Sequence, residues 1–247
     1  MTVGRVTIDG QVQGIGFAIG PSLAVTARHV VKAVLDNEDR LLPGHKVTLI
    51  AEDGSTHEAD IGQANKSLDI ASLVLRQTVT AWLQPANPAE GADWRVSSRP
   101  RDNDPMLSGH ITTCSRHLLT EMGDEVVLLQ LHVREAVGDY GGYSGSPIEV
   151  NASSGFERLL VGILVEQARW RIRNPDQRLP PVANVLYAVP ISAVLQFFGA
   201  QVPPLDDPEY AQFKIRMEKL KRIEPDAGIE VVQKVREEVV FRYVFGE

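Results

Sequence analysis

Turn-forming residues recur so often along residues 1–200 that the apolar segments between them stay at strand length. Gly, Pro and Asp supply this punctuation, and each interrupts regular structure for its own backbone reason. Residues 3–8 alternate apolar and polar side chains, and Asp9-Gly10 then forms a tight-turn signal. Further strands are predicted over 14–19, 23–26, 46–51, 57–62 and 70–75. The Pro- and Ala-rich stretch 84–92 breaks the run and reads as a connection between two halves. Strands resume over 94–98, 110–115, 125–133, 146–150, 159–166 and 184–189. The pattern predicts an all-β barrel or sandwich and not alternating βα units. Few helices are expected. Residues 28–34 suit a brief helical turn, and Pro190 opens a helix over ISAVLQFF. In the tail, Ala211, Ile215 and Leu220, with Phe213 and Met217, give 208–222 a helical apolar spacing. Beyond Pro225, helix and strand fit the residues equally well.

The chain has 247 residues, enough to bury a sizeable core in one large domain or two smaller ones. A formal net charge of -7 argues against a nucleic-acid partner. The single cysteine, Cys114, excludes an intramolecular disulfide and suits a reducing compartment. The first residues lack a basic segment followed by an apolar run and a small-residue cleavage site, so no secretory signal is read there. No apolar run reaches membrane-spanning length, and no membrane partner is expected. These features together predict a soluble cytoplasmic protein.

Three segments carry chemistry-bearing residues. In GPSLAVTARHVV at 20–31, a strand delivers His29 onto a short turn. In SLDIASLVL at 67–75, Asp69 opens an otherwise apolar strand and is expected near the interior. In DYGGYSGSPI at 139–148, Ser144 lies in a glycine-rich bend leading into a strand. Alone, each is weak, since a histidine before an apolar pair is more often structural and an Asp at a strand end is usually a turn residue. Together they match what acyl transfer demands. A serine hydroxyl becomes nucleophilic when a neutral imidazole can take its proton. A carboxylate fixes the imidazole tautomer and stabilises the imidazolium. Glycines let the backbone bend so that the N–H groups of Gly142 and Ser144 converge where an oxyanion develops. GYSGS is not the nucleophile elbow of α/β hydrolases, because strand-like residues follow it.

On these segments the chain resembles the trypsin-like, chymotrypsin-fold serine peptidases, above all their disulfide-free bacterial branch with the HtrA-type proteases. GIGFAIGPSLAVTARHVV resembles the family's histidine segment, SLDIASLVL its aspartate segment, and GGYSGSPI its GDSGGP or GNSGGP serine segment. YAVPISAVLQFF at 187–198 resembles the last strand and closing helix. The resemblance covers about residues 1–200. It implies two six-stranded antiparallel β-barrels, one over about 1–85 and one over about 93–190, and a closing helix at 190–199; the residues beyond, 201–247, read as a short helical C-terminal extension. It implies a serine endopeptidase with His29, Asp69 and Ser144 as catalytic residues, and an oxyanion hole at Gly142, Tyr143 and Ser144. No cofactor and no metal are implied.

The resemblance also implies that residues before the serine, Asp139 and Gly141, and the strand residues Leu164, Val165 and Glu166 line the substrate site. Asp139 and Glu166 are candidates for attracting a basic side chain, against the plainer reading of two solvated loop carboxylates. Tyr143 stands where the family usually places Asp or Asn. It cannot form the salt bridge that follows N-terminal clipping in zymogens, which argues against that activation route. Ser146 replaces a glycine, and Val30 stands where animal members carry a disulfide cysteine. The unusual Tyr143 also supports an alternative, a catalytically silent or latent binding module on a protease scaffold.

The remaining histidines, His45, His57, His110, His117 and His132, show no metal-ligand spacing. Cys114 reads as a small strand residue and not a reactive thiol. KIRMEKLKR at 214–222 is strongly basic. Its plain reading is a solvated helix packed by Ile215 and Leu220. Its functional reading is a docking element at 201–247 for an activating protein partner, by analogy with trypsin-like domains of bacterial signalling and antiviral defence systems. A protein or peptide is the expected substrate.

Overall fold

The structure, a computed structural model, describes residues 2–119, 124–135, 140–151, 158–169 and 181–198. The expected helix at 208–222 and the whole of 201–247 lie outside the described residues, as does Asp139.

Six strands make the first barrel: β1 (Val3–Ile8), β2 (Gln11–Ala18), β3 (Leu23–Ala27), β4 (Val47–Ala51), β5 (Thr56–Asn65) and β6 (Ile70–Leu75). They close in the order β1-β2-β3-β6-β5-β4. Ile8 pairs with Gln11 around the predicted turn. Asp9 and Gly10 adopt φ of 51° and 83°, the two left-handed residues that match a hairpin's twist. Val6, Ile15, Phe17, Val25, Leu49 and Leu73 are fully buried in this barrel.

Between β3 and β4 runs a four-residue helix, α1 (Arg28–Val31), continued by a 3-10 turn, Lys32–Val34. Val30, Val31 and Val34 are buried. So short a helix does not stand by propensity alone, and burial of its apolar face holds it.

The segment read as a plain connection contains a two-residue strand, β7 (Gln84–Pro85), which runs parallel to a later strand. Pairing this brief is dictated by a distant partner, so nothing local announces it. The second barrel comprises β8 (Asp93–Arg95), β9 (Ser108–Leu119), β10 (Glu125–Val133), β11 (Pro147–Asn151), β12 (Arg158–Arg169) and β13 (Pro181–Pro190). The order is β11-β8-β9-β10-β13-β12, and a β11–β12 pairing closes the ring, with β7 added outside at β12. All ladders except β7–β12 are antiparallel. Trp94, Leu107, Ile111, Leu129, Leu131 and Val161 are among its core. Helix α2 (Ile191–Phe198) follows Pro190 as expected. Among the described residues, no helix is long and apolar enough to cross a membrane.

Candidate active site

Asp69 sits in the turn just before β6, with φ at 55°. Left-handed backbone costs most side chains about 1–2 kcal/mol, and Asp is among the few that tolerate it. This conformation places three groups of one residue against α1. The Asp69 carbonyl accepts from Arg28 N–H at 2.8 Å. Asp69 Oδ1 accepts from His29 N–H at 3.0 Å, and Oδ2 meets His29 Nδ1 at 2.5 Å. The carboxylate therefore grips both the backbone and the ring of His29. In the neutral ring, an Nδ1 that donates to the carboxylate leaves the lone pair on Nε2, on the far side. The Asp69 side chain is 33% exposed and that of His29 43%, so the carboxylate is less enclosed than its apolar neighbours in sequence suggest. Its position at the strand's mouth, and not within it, explains the difference.

Ser144 is half-buried in the turn before β11. Its carbonyl accepts from Ile15 N–H at 2.9 Å, which fastens a barrel-two turn to a barrel-one strand. The next residue, Gly145, has φ of 86°, and a Cβ there would lie 2.0 Å from the Ile15 carbonyl oxygen. Only glycine fits this approach. Gly14 lies against both the His29 and the Ser144 segments. A Cβ there would meet Val30 Cγ2 at 2.6 Å and the Ser144 carbonyl oxygen at 2.8 Å. At Gly14 the strand β2 thus packs closely against both the residue after His29 and the backbone of Ser144. Among the described residues, Ser144 Oγ makes no hydrogen bond to His29.

The turn's own hydrogen bonds run from Tyr143 N–H to the Tyr140 carbonyl, 3.3 Å, and from Ser146 N–H to the Tyr143 carbonyl, 3.0 Å. Among the described residues, these turns do not use the N–H groups of Gly142 and Ser144. Gly142 has φ of 88°. Tyr143 is buried in the barrel-two core, 2% exposed. Its hydroxyl donates to the Pro105 carbonyl at 2.5 Å. Burial pushes its phenol up to about 12, so it stays a donor at any working pH.

Of the other substrate-site candidates, Gly141 is exposed at the mouth of the serine turn. Leu164 packs its side chain in the barrel-two core, while its backbone is bound to the turn. Gly145 N–H donates to the Leu164 carbonyl at 2.7 Å, and Leu164 N–H to the Ser146 carbonyl at 2.9 Å. Val165 is buried. The Glu166 backbone pairs with Tyr187, and its side chain lies outside the described residues. Two residues of the site gave no signal in the sequence reading. Arg28, beside His29, forms an ion pair with Asp39 at 2.5 Å, and both side chains are largely buried. Gly14 was read only as a strand residue.

The other singled-out side chains have partners elsewhere. His45 pairs with Asp9 at 2.7 Å and His117 with Glu125 at 2.7 Å. His110 and His132 stack across β9 and β10. Burial and the nearby Glu90 push the Cys114 thiol up, which disfavours its reactive thiolate.

The comparisons agree with this architecture. The MamO protease domain of Magnetospirillum magneticum, in its apo form, is 16% identical, with a TM-score of 0.55 over 79% of this chain and 95% of that one. The Rv3671c protease of M. tuberculosis, as an inactive-form serine-to-alanine mutant, is 21% identical, with a TM-score of 0.56 over 82% and 88%. Deg5 is 16% identical, with a TM-score of 0.53 over 79% and 86%. At these identities the likeness is one of fold. No curated protein sequence matches the chain. Residues 14–155 match the trypsin-like peptidase domain, a span that includes the His29, Asp69 and Ser144 segments, and the chain belongs to that family.

Proposed function

We propose that the protein is a serine endopeptidase that cleaves a protein substrate through an acyl-enzyme. The observation that carries this reading is the double grip of Asp69 on His29, backbone and ring at once. A merely structural histidine needs one partner. A general base needs its Nδ1 proton held and its Nε2 lone pair free, and a carboxylate at Nδ1 favours both.

In this reading Ser144 Oγ attacks the scissile carbonyl and His29 Nε2 takes its proton. The carbonyl oxygen, now negative, is met by the N–H groups of Gly142 and Ser144. Collapse expels the amine, which receives the proton from His29. Water then repeats the sequence on the acyl-enzyme, and Ser144 is regenerated. Each oxyanion donor is worth on the order of 10²–10³ in turnover in enzymes of this chemistry.

The test is Ser144→Ala, assayed on casein together with a fluorophosphonate probe. Cleavage and labelling should both vanish while the thermal transition stays within about 1 °C, since one hydroxyl on a half-buried residue is lost. An alanine variant that cuts as fast as the parent would refute the assignment.

One observation favours a second reading, a latent enzyme. The Ser144 hydroxyl is not hydrogen-bonded to His29 among the described residues. Such bonds commonly tighten only when substrate binds. They are also made by partners that order a site. Labelling of the isolated chain supports the first account. Labelling only in an assembled complex, with 201–247 as the docking element, supports the second.

A further inference from the structure

Tyr143 stands between Gly142 and Ser144, yet its side chain is buried in the barrel-two core. The ring is 2% exposed and packs in the barrel-two core beside Tyr140 and Leu164. Its hydroxyl reaches the carbonyl of Pro105, in the loop between β8 and β9. The same loop holds Pro100, and a Cβ on Gly142 would come within 2.9 Å of Pro100 Cβ. Two consecutive residues of the serine turn therefore rest on two prolines of a single loop. Proline fixes its own φ, so both seats are stiff.

That loop is itself pinned. Val96 N–H donates to the Leu107 carbonyl at 3.0 Å and closes its base. Arg101 N–H donates to Asp104 Oδ2 at 3.1 Å, and Asp104 N–H to the Arg101 carbonyl at 3.0 Å. Two contacts reach barrel one: Arg5 Nη2 to Asp102 Oδ1 at 3.1 Å, and the Ser98 hydroxyl to Glu52.

We infer that Tyr143 is a positioning residue, whose hydroxyl, seated on the Pro105 carbonyl, holds the backbone of Gly142 and Ser144 in the conformation that attack requires. The inference rests on Ser144 being the nucleophile. It assigns to an internal hydrogen bond the task of fixing the serine turn. No cut chain end is then needed to do so. A tyrosine that only filled space would not need its hydroxyl. A hydroxyl at 2.5 Å from a carbonyl in the core is a directional restraint on the residue that carries it.

Tyr143→Phe separates the two roles, because it keeps the ring and its packing and removes only the donor. The expected result is a fall of about tenfold in kcat and in the rate of fluorophosphonate labelling, with KM within about twofold, since loss of one buried hydrogen bond is worth about that factor. Labelling and turnover within twofold of the parent would overturn the inference. Pro105→Ala keeps the acceptor carbonyl but frees its backbone, and should lower the same two rates by a smaller factor. It supplies the decision should the phenylalanine variant fold poorly. If the isolated parent neither cleaves nor labels, as a latent enzyme would not, amide hydrogen exchange over 140–146 decides the role of Tyr143. Exchange faster by about tenfold in Tyr143→Phe, with the barrel strands unchanged, upholds the restraint. Unchanged exchange overturns it.

Discussion

Asp69 accepts from the backbone N–H of His29 as well as facing its ring, so removing the negative charge and removing the contact are different experiments. Asp69→Asn keeps a side chain of the same shape, and Asn tolerates the left-handed φ of 55° found here. The carboxamide can still accept from the backbone with its oxygen. Its nitrogen then faces Nδ1 as a donor, which forces the imidazole into the tautomer that places its proton on Nε2. The lone pair on Nε2 is then lost. Turnover should fall by about 10⁴ with KM nearly unchanged, while circular dichroism and the thermal midpoint stay close to those of the parent. A drop below about tenfold in steady-state kinetics would mean that His29 does not act as the base. That Asp69 would face His29 was legible, because an acid at the mouth of one strand and a histidine on the turn after another are the pair that acyl transfer would call for. The exposure of Asp69 was not, because the sequence shows an acidic residue beside an apolar strand and does not show that the chain turns before the strand begins.

At the scale of elements, α1 is the part whose stability most needs explaining, since four residues close barely one turn. Its outer face is held by Arg28, whose Nε and Nη2 both donate to Asp39 Oδ1, at 3.1 and 2.5 Å. The two side chains are only 14% and 13% exposed. Lys66 stands 3.9 Å from Asp39 as a weaker neighbour. Removing one member of such a pair leaves an uncompensated charge in a poorly hydrated place. Asp39→Ala should therefore cost about 3 kcal/mol, read as a thermal midpoint lower by about 6–12 °C in a domain of this size. Cleavage should slow with it, because His29 is the next residue along. The double variant Arg28→Met with Asp39→Asn should recover most of the lost midpoint, since it strands no charge and Asn tolerates the left-handed φ of 61° at this position. If the double variant is no better than Asp39→Ala, the loss does not lie in the stranded charge. Nothing in the sequence pointed to this pair. Arg28 reads as part of a helical turn, and Asp39 lies in a charged loop where several acids compete for the same role. By contrast, most strands were legible within a few residues, because turn residues and alternation are local signals. The parallel two-residue strand β7 depends on a partner some seventy-five positions away, between Gln84 and Leu159, and has no local signal at all.

For the molecule as a whole, the two barrels are joined at the serine turn through Ile15 and at the Pro100–Pro105 loop through Glu52 and Arg5. Behind the base of that loop, on β11, lies Glu149, whose side chain is completely buried. The hydroxyl of Ser97 donates to it, and Arg158 Nη1 stands 3.4 Å from Oε2 while also donating to Ser97 Oγ at 3.1 Å. Burial raises the Glu149 carboxyl above its ordinary range, and the bonds from Ser97 and Arg158 only partly oppose this. The sign of the consequence follows from linkage. A folded state that holds its proton more tightly than the unfolded chain gains stability below the ordinary carboxylate range. It loses that gain as pH rises through the raised folded value. The parent should therefore surrender stability on going from about pH 4 to about pH 7, over the part of the titration that Glu149 controls. Glu149→Gln has no proton to lose. Its oxygen can still accept from Ser97, and its amide displaces Arg158, which is 39% exposed and can turn to water. The midpoint of Glu149→Gln minus that of the parent should accordingly grow more positive between those pH values. Calorimetric scans of both proteins across that range measure it. A difference that stays flat would mean that Arg158 fully compensates the buried charge, and a difference that shrinks with rising pH would reverse the sign of the argument.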